Sequence, residues 1–230
     1  MIKLNNVTKK YLTQVALDDV SISLPQGKII GIVGENGSGK STTLKLMAGL
    51  IQPSKGAITI NGENVTRRIS TQVAYLSELD AYYPFYTVQE TIDFFASQFE
   101  DFDRDRAKEI LEFMRLEPNK KVKELSKGNR GRLKILLVLS REVPIILMDE
   151  PLSGLDPMVR DSIIKGLLSF VDIEKQTVII TTHEIREIEP LLDVVIALKK
   201  GKIMEITEVE EIRSIQKLSL VEWMKKVYEN

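Results

Sequence analysis

The stretch Gly34-Glu35-Asn36-Gly37-Ser38-Gly39-Lys40-Ser41-Thr42 constrains this chain more than any other. Before it runs Lys28-Ile29-Ile30-Gly31-Ile32-Val33, which reads as a strand buried on both faces, as in a parallel sheet. After it, Ser41 to Leu50 reads as a helix with Gly49 near its end. Strand, glycine-rich turn and helix in that order form the Walker A arrangement. Polyphosphate binding requires several backbone N–H groups aimed at one point, and only glycine lets the chain wrap so tightly. The helix presents its positive end to that point. Lys40 then reaches the β- and γ-phosphates, and Ser41 supplies an oxygen to Mg²⁺. An empty glycine-rich loop would explain neither the lysine nor the serine.

A second element complements the first. Ile145-Ile146-Leu147-Met148-Asp149-Glu150 reads as a buried strand ending in two acids. Carboxylates at the carboxyl end of a parallel strand face the ligand crevice. Alone, the pair would read as a solvated strand cap. Beside a Walker A loop, Asp149 is expected to hold Mg²⁺ through its water shell, and Glu150 to polarise the water attacking the γ-phosphate. Tyr11 offers a flat face for a base, or ordinary core packing.

Around these motifs the chain alternates. Ile2 to Val7 and Val20 to Leu24 read as short strands, Gly56 to Gly62 as a strand entering a hairpin, and Gln72 to Leu76 as another strand. Val88 to Phe99, Arg104 to Leu116 and Gly131 to Arg141 read as helices with no strong strand between them, an inserted helical subdomain over about 88–141. Then come a helix from Met158 to Val171, a strand from Val178 to Thr181, a helix from Ile185 to Leu192 and a strand from Val194 to Leu198. A hairpin at Gly201 and a helix from Leu220 to Tyr228 follow. The expected fold is α/β: a P-loop NTPase core with a mostly parallel sheet, an N-terminal antiparallel β part and the helical insertion, all in one domain over 1–230.

Composition removes other chemistries. There is no cysteine, so disulfide and thiolate chemistry drop out, and the single histidine, His183, rules out a multi-histidine metal site. A formal net charge of -1 gives no general attraction to nucleic acid. The first residues lack an apolar signal core, and no segment is apolar for long enough to cross a bilayer. A membrane role therefore requires another chain to make the crossing.

With these motifs in order, the chain resembles the ABC ATPase family up to about Ile206. The resemblance implies ATP and Mg²⁺ as ligands. It places Tyr11 at the adenine-stacking position, Gly34 to Thr42 in the Walker A loop, and Asp149 and Glu150 as the Walker B aspartate and catalytic glutamate. Leu125-Ser126-Lys127-Gly128-Asn129 stands where the signature Leu-Ser-Gly-Gly-Gln usually is, with Ser126 and Gly128 as donors to a γ-phosphate. Ser153-Gly154-Leu155-Asp156 matches the D-loop, and Thr182-His183-Glu184 carries the switch histidine. The resemblance further implies a second ATPase subunit arranged head to tail around two ATPs, a homodimer by expectation. It also implies a polytopic transmembrane permease that holds the chain at the inner face of the cell membrane.

Two departures stand out. Glu78 takes the place of the usual Q-loop glutamine, and is read as a catalytic and metal-binding residue that makes nucleotide binding more dependent on Mg²⁺. Lys127 replaces a signature glycine; its charge either aids closure on a triphosphate or points to solvent. The segment Ala81-Tyr82-Tyr83-Pro84-Phe85-Tyr86 is dense in aromatics, to dock a permease, to pack the helical subdomain, or both. The Leu-Ser-Lys-Gly signature and compact size resemble ABC-2-type exporters. The contrasting readings are a soluble ABC ATPase that drives assembly, a translation or DNA-repair ABC ATPase, and a non-enzymatic subunit. The absence of a tandem cassette or long coiled coil argues against the second, and the intact Lys40, Asp149, Glu150 and His183 against the third.

Overall fold

The computed structural model describes residues 1–79 and 82–229. Two sheets stack around a shared interior. The smaller is antiparallel, in the order β2 (Gln14–Leu24), β1 (Ile2–Tyr11), β4 (Lys55–Ile60), β5 (Glu63–Asn64). Both first strands are longer than their sequence pattern suggests. The β1–β2 pairing shifts register between Leu4 and Val7, between Val7 and Lys9 and between Lys9 and Lys10, and Asn6 (φ 47°) and Asp19 (φ 53°) are left-handed. Bulges of this kind scramble the period-2 alternation that marks a strand.

The larger sheet has six strands, in the order β10 (Lys202–Glu208), β9 (Val194–Lys199), β3 (Ile29–Val33), β8 (Thr177–Thr182), β7 (Ile145–Asp149), β6 (Val73–Leu76). All its pairings are parallel except β9 with β10. The central strands are fully buried, and their side chains divide between two cores. Ile30, Ile32, Ile145 and Leu147 face the antiparallel sheet and α1 (Lys40–Met47). Ile29, Val33, Ile146 and Met148 face the remaining helices. This two-faced burial is why β3 and β7 read as continuous apolar runs.

The helical subdomain comprises α2 (Val88–Gln98), α3 (Arg104–Phe113) and α4 (Lys127–Leu139). Thr87 and Glu90 form a reciprocal capping box on α2, and Asp103 caps α3. Next come α5 (Pro157–Phe170), α6 (Ile185–Ile188), α7 (Val209–Ser214) and α8 (Leu220–Glu229). α6 is short because Pro190 turns the chain into a 3₁₀ turn over Glu189–Leu191. α8 docks through buried Leu220, Trp223 and Val227, and the Trp223 indole donates to Glu205 at 2.9 Å. Its Tyr228 hydroxyl bonds the carbonyls of Val33 and Leu198 at 3.1 and 3.2 Å, bracing the strand end just before Gly34. Burial and nearby Glu35 push that phenol up to about 12. No helix among the described residues is long and apolar enough to cross a membrane.

Candidate active site

Three strands deliver the site. Gly34 follows β3, Asp149 ends β7 and His183 follows β8, all at the carboxyl edge of the parallel sheet. Gly37 (φ 80°) and Gly39 (φ 111°) take left-handed conformations that turn the loop into α1. A Cβ on Gly39 would lie 2.5 Å from the Ala16 carbonyl, and one on Gly34 would lie 2.3 Å from that of Leu198. The glycines therefore let the loop press against β2 and β9. No acid occupies the first turn of α1, whose positive end stays open to an anion. Ser38 is buried beneath the loop, its Oγ making no hydrogen bond among the described residues.

Lys40 is 5% exposed. Its ammonium donates to the carbonyls of Gly34 (2.8 Å) and Glu35 (3.2 Å) and stands 3.4 Å from Glu150 Oε1. So it is a buried cation held over its own loop by oxygens, each of which a phosphate oxygen can replace.

Asp149 lies at the centre of a hydroxyl cluster. Its Oδ1 accepts from Ser41 (2.9 Å) and Thr181 (2.7 Å), and its Oδ2 from Tyr75 (3.3 Å). Burial, then the Asp149 charge, raise the Tyr75 phenol above its ordinary value, so it stays a donor. An all-oxygen set suits a hard cation such as Mg²⁺. Among the described residues no group of three or more acidic or histidine side chains is close enough to hold a metal alone. That agrees with how Mg²⁺ is usually bound, by a few protein oxygens together with phosphate and water.

Glu150 adopts φ 48°, a conformation costing a non-glycine residue about 1–3 kcal/mol. Its N–H donates to Thr181 Oγ1 at 3.1 Å, and its carboxylate Oε2 lies 2.8 Å from His183 Nδ1. The turn thus aims the carboxylate at both Lys40 and His183.

Lys40, Ser41, Glu150 and His183 line a cleft of about 590 Å³ with Asn36, Thr42 and Ser153, and Asp149 lies buried behind Ser41. Tyr11 stands in its wall, 44% exposed, with the Lys9 ammonium 5.1 Å from the ring centre. Glu78 faces the same cleft, and its backbone carbonyl accepts from Lys134 of α4 at 2.7 Å. A carboxylate there repels polyphosphate unless a cation intervenes, on the order of 1 kcal/mol at a wet site. Glu78→Gln is therefore expected to bind ATP about fivefold more tightly without Mg²⁺ and to flatten the Mg²⁺ titration; superimposable titrations would refute this.

Of the residues assigned from sequence that this lining lacks, Gly34, Ser38 and Asp149 are buried beside it, whereas Ser126, Gly128 and Asp156 belong to the starts of α4 and α5. Ser126 caps α4, accepting the Asn129 N–H at 3.2 Å, so this helix begins at Lys127 rather than at Gly131. Gly128 packs where a Cβ would meet Val159 Cγ2 at 2.7 Å. Asp156 caps α5 through the Val159 N–H at 3.0 Å. Lys127 is exposed, and its ammonium lies across Gly154, where a Cβ would come within 2.2 Å. Thr181, Tyr75 and Lys134 were not singled out from sequence. Of these only Thr181 carries a signal in the sequence, a hydroxyl near the carboxyl end of a buried strand, and the structure sets it in register with Asp149.

Comparison with known proteins agrees with this geometry. A family model described as ABC transporter matches residues 17–153. An uncharacterized ABC transporter ATP-binding protein of Methanocaldococcus jannaschii is 32% identical, over 97% of this chain and 82% of its own. The bacitracin transport ATP-binding protein BcrA of Bacillus licheniformis is 32% identical, over 89% and 69%. The osmoprotectant import ATP-binding protein OsmV of Salmonella typhimurium is 31% identical over 92% of this chain, which spans only 60% of that relative. Among solved structures, the dimeric ATP-binding cassette MJ0796 in a post-hydrolysis state bound to ADP and Pi superposes with a TM-score of 0.81 at 27% identity, covering 91% of this chain and 99% of that one. The chain belongs to the ABC transporter family, as one of its ATP-binding cassette ATPases.

Proposed function

We propose that two copies of this chain close head to tail around two Mg·ATP and that their hydrolysis drives transport through a separate transmembrane permease. The observation that carries this reading is the separation of two half-sites. Lys40, Ser41, Glu150 and His183 line one cleft, while Ser126 and Gly128, at the start of α4, stand outside it. A second copy brings the missing half. The dimeric state of the MJ0796 cassette supports the same arrangement.

In this reading each residue has a task. Lys40 exchanges its loop carbonyls and Glu150 for β- and γ-phosphate oxygens. Ser41 and Asp149 hold Mg²⁺, which when bound neutralises charge on the transferring phosphoryl group. Release of Glu150 from Lys40 frees it to orient water, with His183 beside it as γ-phosphate sensor. Glu78 adds an oxygen toward the cation. Tyr11 stacks on adenine, and the Gly34–Thr42 amides cradle the phosphates. Ser126 and Gly128 approach the γ-phosphate of the facing copy, with Asp156 shaping the D-loop between them. The whole of 1–230 acts as one ATPase domain with 88–141 as its helical subdomain.

An exposed aromatic group supports the permease contact. Tyr83 is 48% and Phe85 61% exposed, and both pack in tilted or edge-on contact against Tyr86, which also meets Phe94 of α2. Ala81, the first residue of this segment, lies outside the described residues. Rigid aromatic area suits docking of a membrane subunit's cytoplasmic helix, which would hold the cassette at the inner face of the membrane. Relatives named for bacitracin and for osmoprotectants are 32% and 31% identical, so likeness selects neither, and the export branch rests on the Leu-Ser-Lys-Gly signature and the compact size.

The test is capture. Glu150→Gln loaded with Mg·ATP is expected to retain a polytopic membrane protein from solubilised host membranes. Recovery of soluble partners alone, with and without nucleotide, would favour the assembly ATPase instead.

A further inference from the structure

α6 has four residues, too few for a helix to sustain itself, yet it begins just after His183 and Glu184. Buried Ile185 and Ile188 anchor it on one side. On the other side Glu187, 8% exposed, turns back toward α5. There Arg160 Nη1 stands 2.6 Å from Glu187 Oε1, an ion contact that lies off the axis of a hydrogen bond. Arg160 Nη2 donates to the carbonyl of Leu155 at 3.0 Å. One guanidinium thus joins the helix behind the histidine to the 153–156 loop, and Ser153 of that loop lines the cleft beside Glu150.

A carboxylate so buried is costly, and an apolar pair would pack the same space with less penalty. Burial pushes the Glu187 carboxyl up to about 7, with Glu184 adding to the shift and Arg160 opposing it.

We infer that Arg160 is a positioning residue for ATP hydrolysis: through Glu187 and the Leu155 carbonyl it fixes the register of His183 against Glu150. The inference rests on the proposed reading of His183 and Glu150 as the groups beside the reacting phosphate. Their contact, 2.8 Å in this structure, closes a ring that runs from Glu150 through the 153–156 loop, Arg160 and Glu187 to His183. Loosening one link lets the histidine drift while leaving the phosphate loop untouched. Misplacing a reacting group by an ångström costs up to about 100-fold in rate.

Steady-state hydrolysis and equilibrium ATP binding by the purified cassette test this in wild type, Arg160→Met, Glu187→Gln and the double variant. Each single change is expected to lower kcat by about tenfold or more while ATP affinity stays within about twofold. The double variant is expected to be no slower than the slower single one, because both break the same link. Arg160→Lys, which keeps the charge, is expected to recover part of the rate. If Arg160→Met fails to fold, the near-isosteric Glu187→Gln carries the test. Single variants as fast as wild type, losses that track ATP affinity, or multiplicative losses in the double variant would each overturn the role. Wild type that binds ATP without turnover would overturn the hydrolysis reading, and this role with it.

Discussion

Lys40→Met is expected to erase the thermal stabilisation that Mg·ATP confers on the wild-type cassette. A ligand at 100 times its dissociation constant adds about 2.7 kcal/mol to folding stability. For a chain of this length each kcal/mol moves the midpoint by roughly 2–4 °C. Wild type should therefore gain roughly 5–10 °C, and Lys40→Met about 1 °C at most. The reason lies in the ligand-free geometry. The Lys40 ammonium is already buried, held by two loop carbonyls and Glu150. Its desolvation cost is met during folding, so ATP gains a cation without having to bury one. The same substitution leaves Glu150 with His183 as its remaining close side-chain partner. Unfolding scans with and without Mg·ATP decide the matter; equal gains in both proteins would mean that the phosphates bind elsewhere.

The parts legible in the sequence share one property: their function needs residue types at fixed local spacing. Gly34 to Thr42 is readable because wrapping, charge and cation ligation sit within one loop. Asp149 and Glu150 are readable because a buried strand ends on them. The long hairpin is only partly legible because the left-handed Asn6 and Asp19 break its alternation. α4 begins four residues before the Gly131 that the sequence pattern points to, because Lys127-Gly128-Asn129-Arg130-Gly131 has no apolar periodicity; the Ser126 cap decides it. α7 leaves little pattern in the sequence because only Val209 and Ile212 are buried along it. The link from Arg160 to Glu187 crosses from one crossover helix to the next, where a local pattern carries no information about contact.

Arg141→Met is expected to be the most damaging single change away from the nucleotide cleft. Arg141 follows α4 and is 4% exposed. Its guanidinium makes a bidentate pair with Asp101, through Nε to Oδ1 and through Nη2 to Oδ2 at 2.7 Å. Nη2 also donates to the Ser70 carbonyl at 2.6 Å, and the guanidinium carbon lies 3.8 Å from the Phe99 ring centre. Ser70 belongs to the turn that leads into β6, whereas Phe99 and Asp101 follow α2. The side chain therefore fastens the helical subdomain to the nucleotide-binding core at one point. Methionine fills the volume but leaves Asp101 without its counter-ion and the Ser70 carbonyl without its donor. Removing one member of a buried pair costs about 3–5 kcal/mol. Asp101 keeps some water, its side chain being 23% exposed, so the lower end applies. At roughly 2–4 °C per kcal/mol the midpoint should fall by about 10 °C. Arg141→Met with Asp101→Leu should lose less than the sum of the two changes, because no charge is then stranded. A fall of about 1 °C would show that subdomain and core are held together by apolar contacts alone.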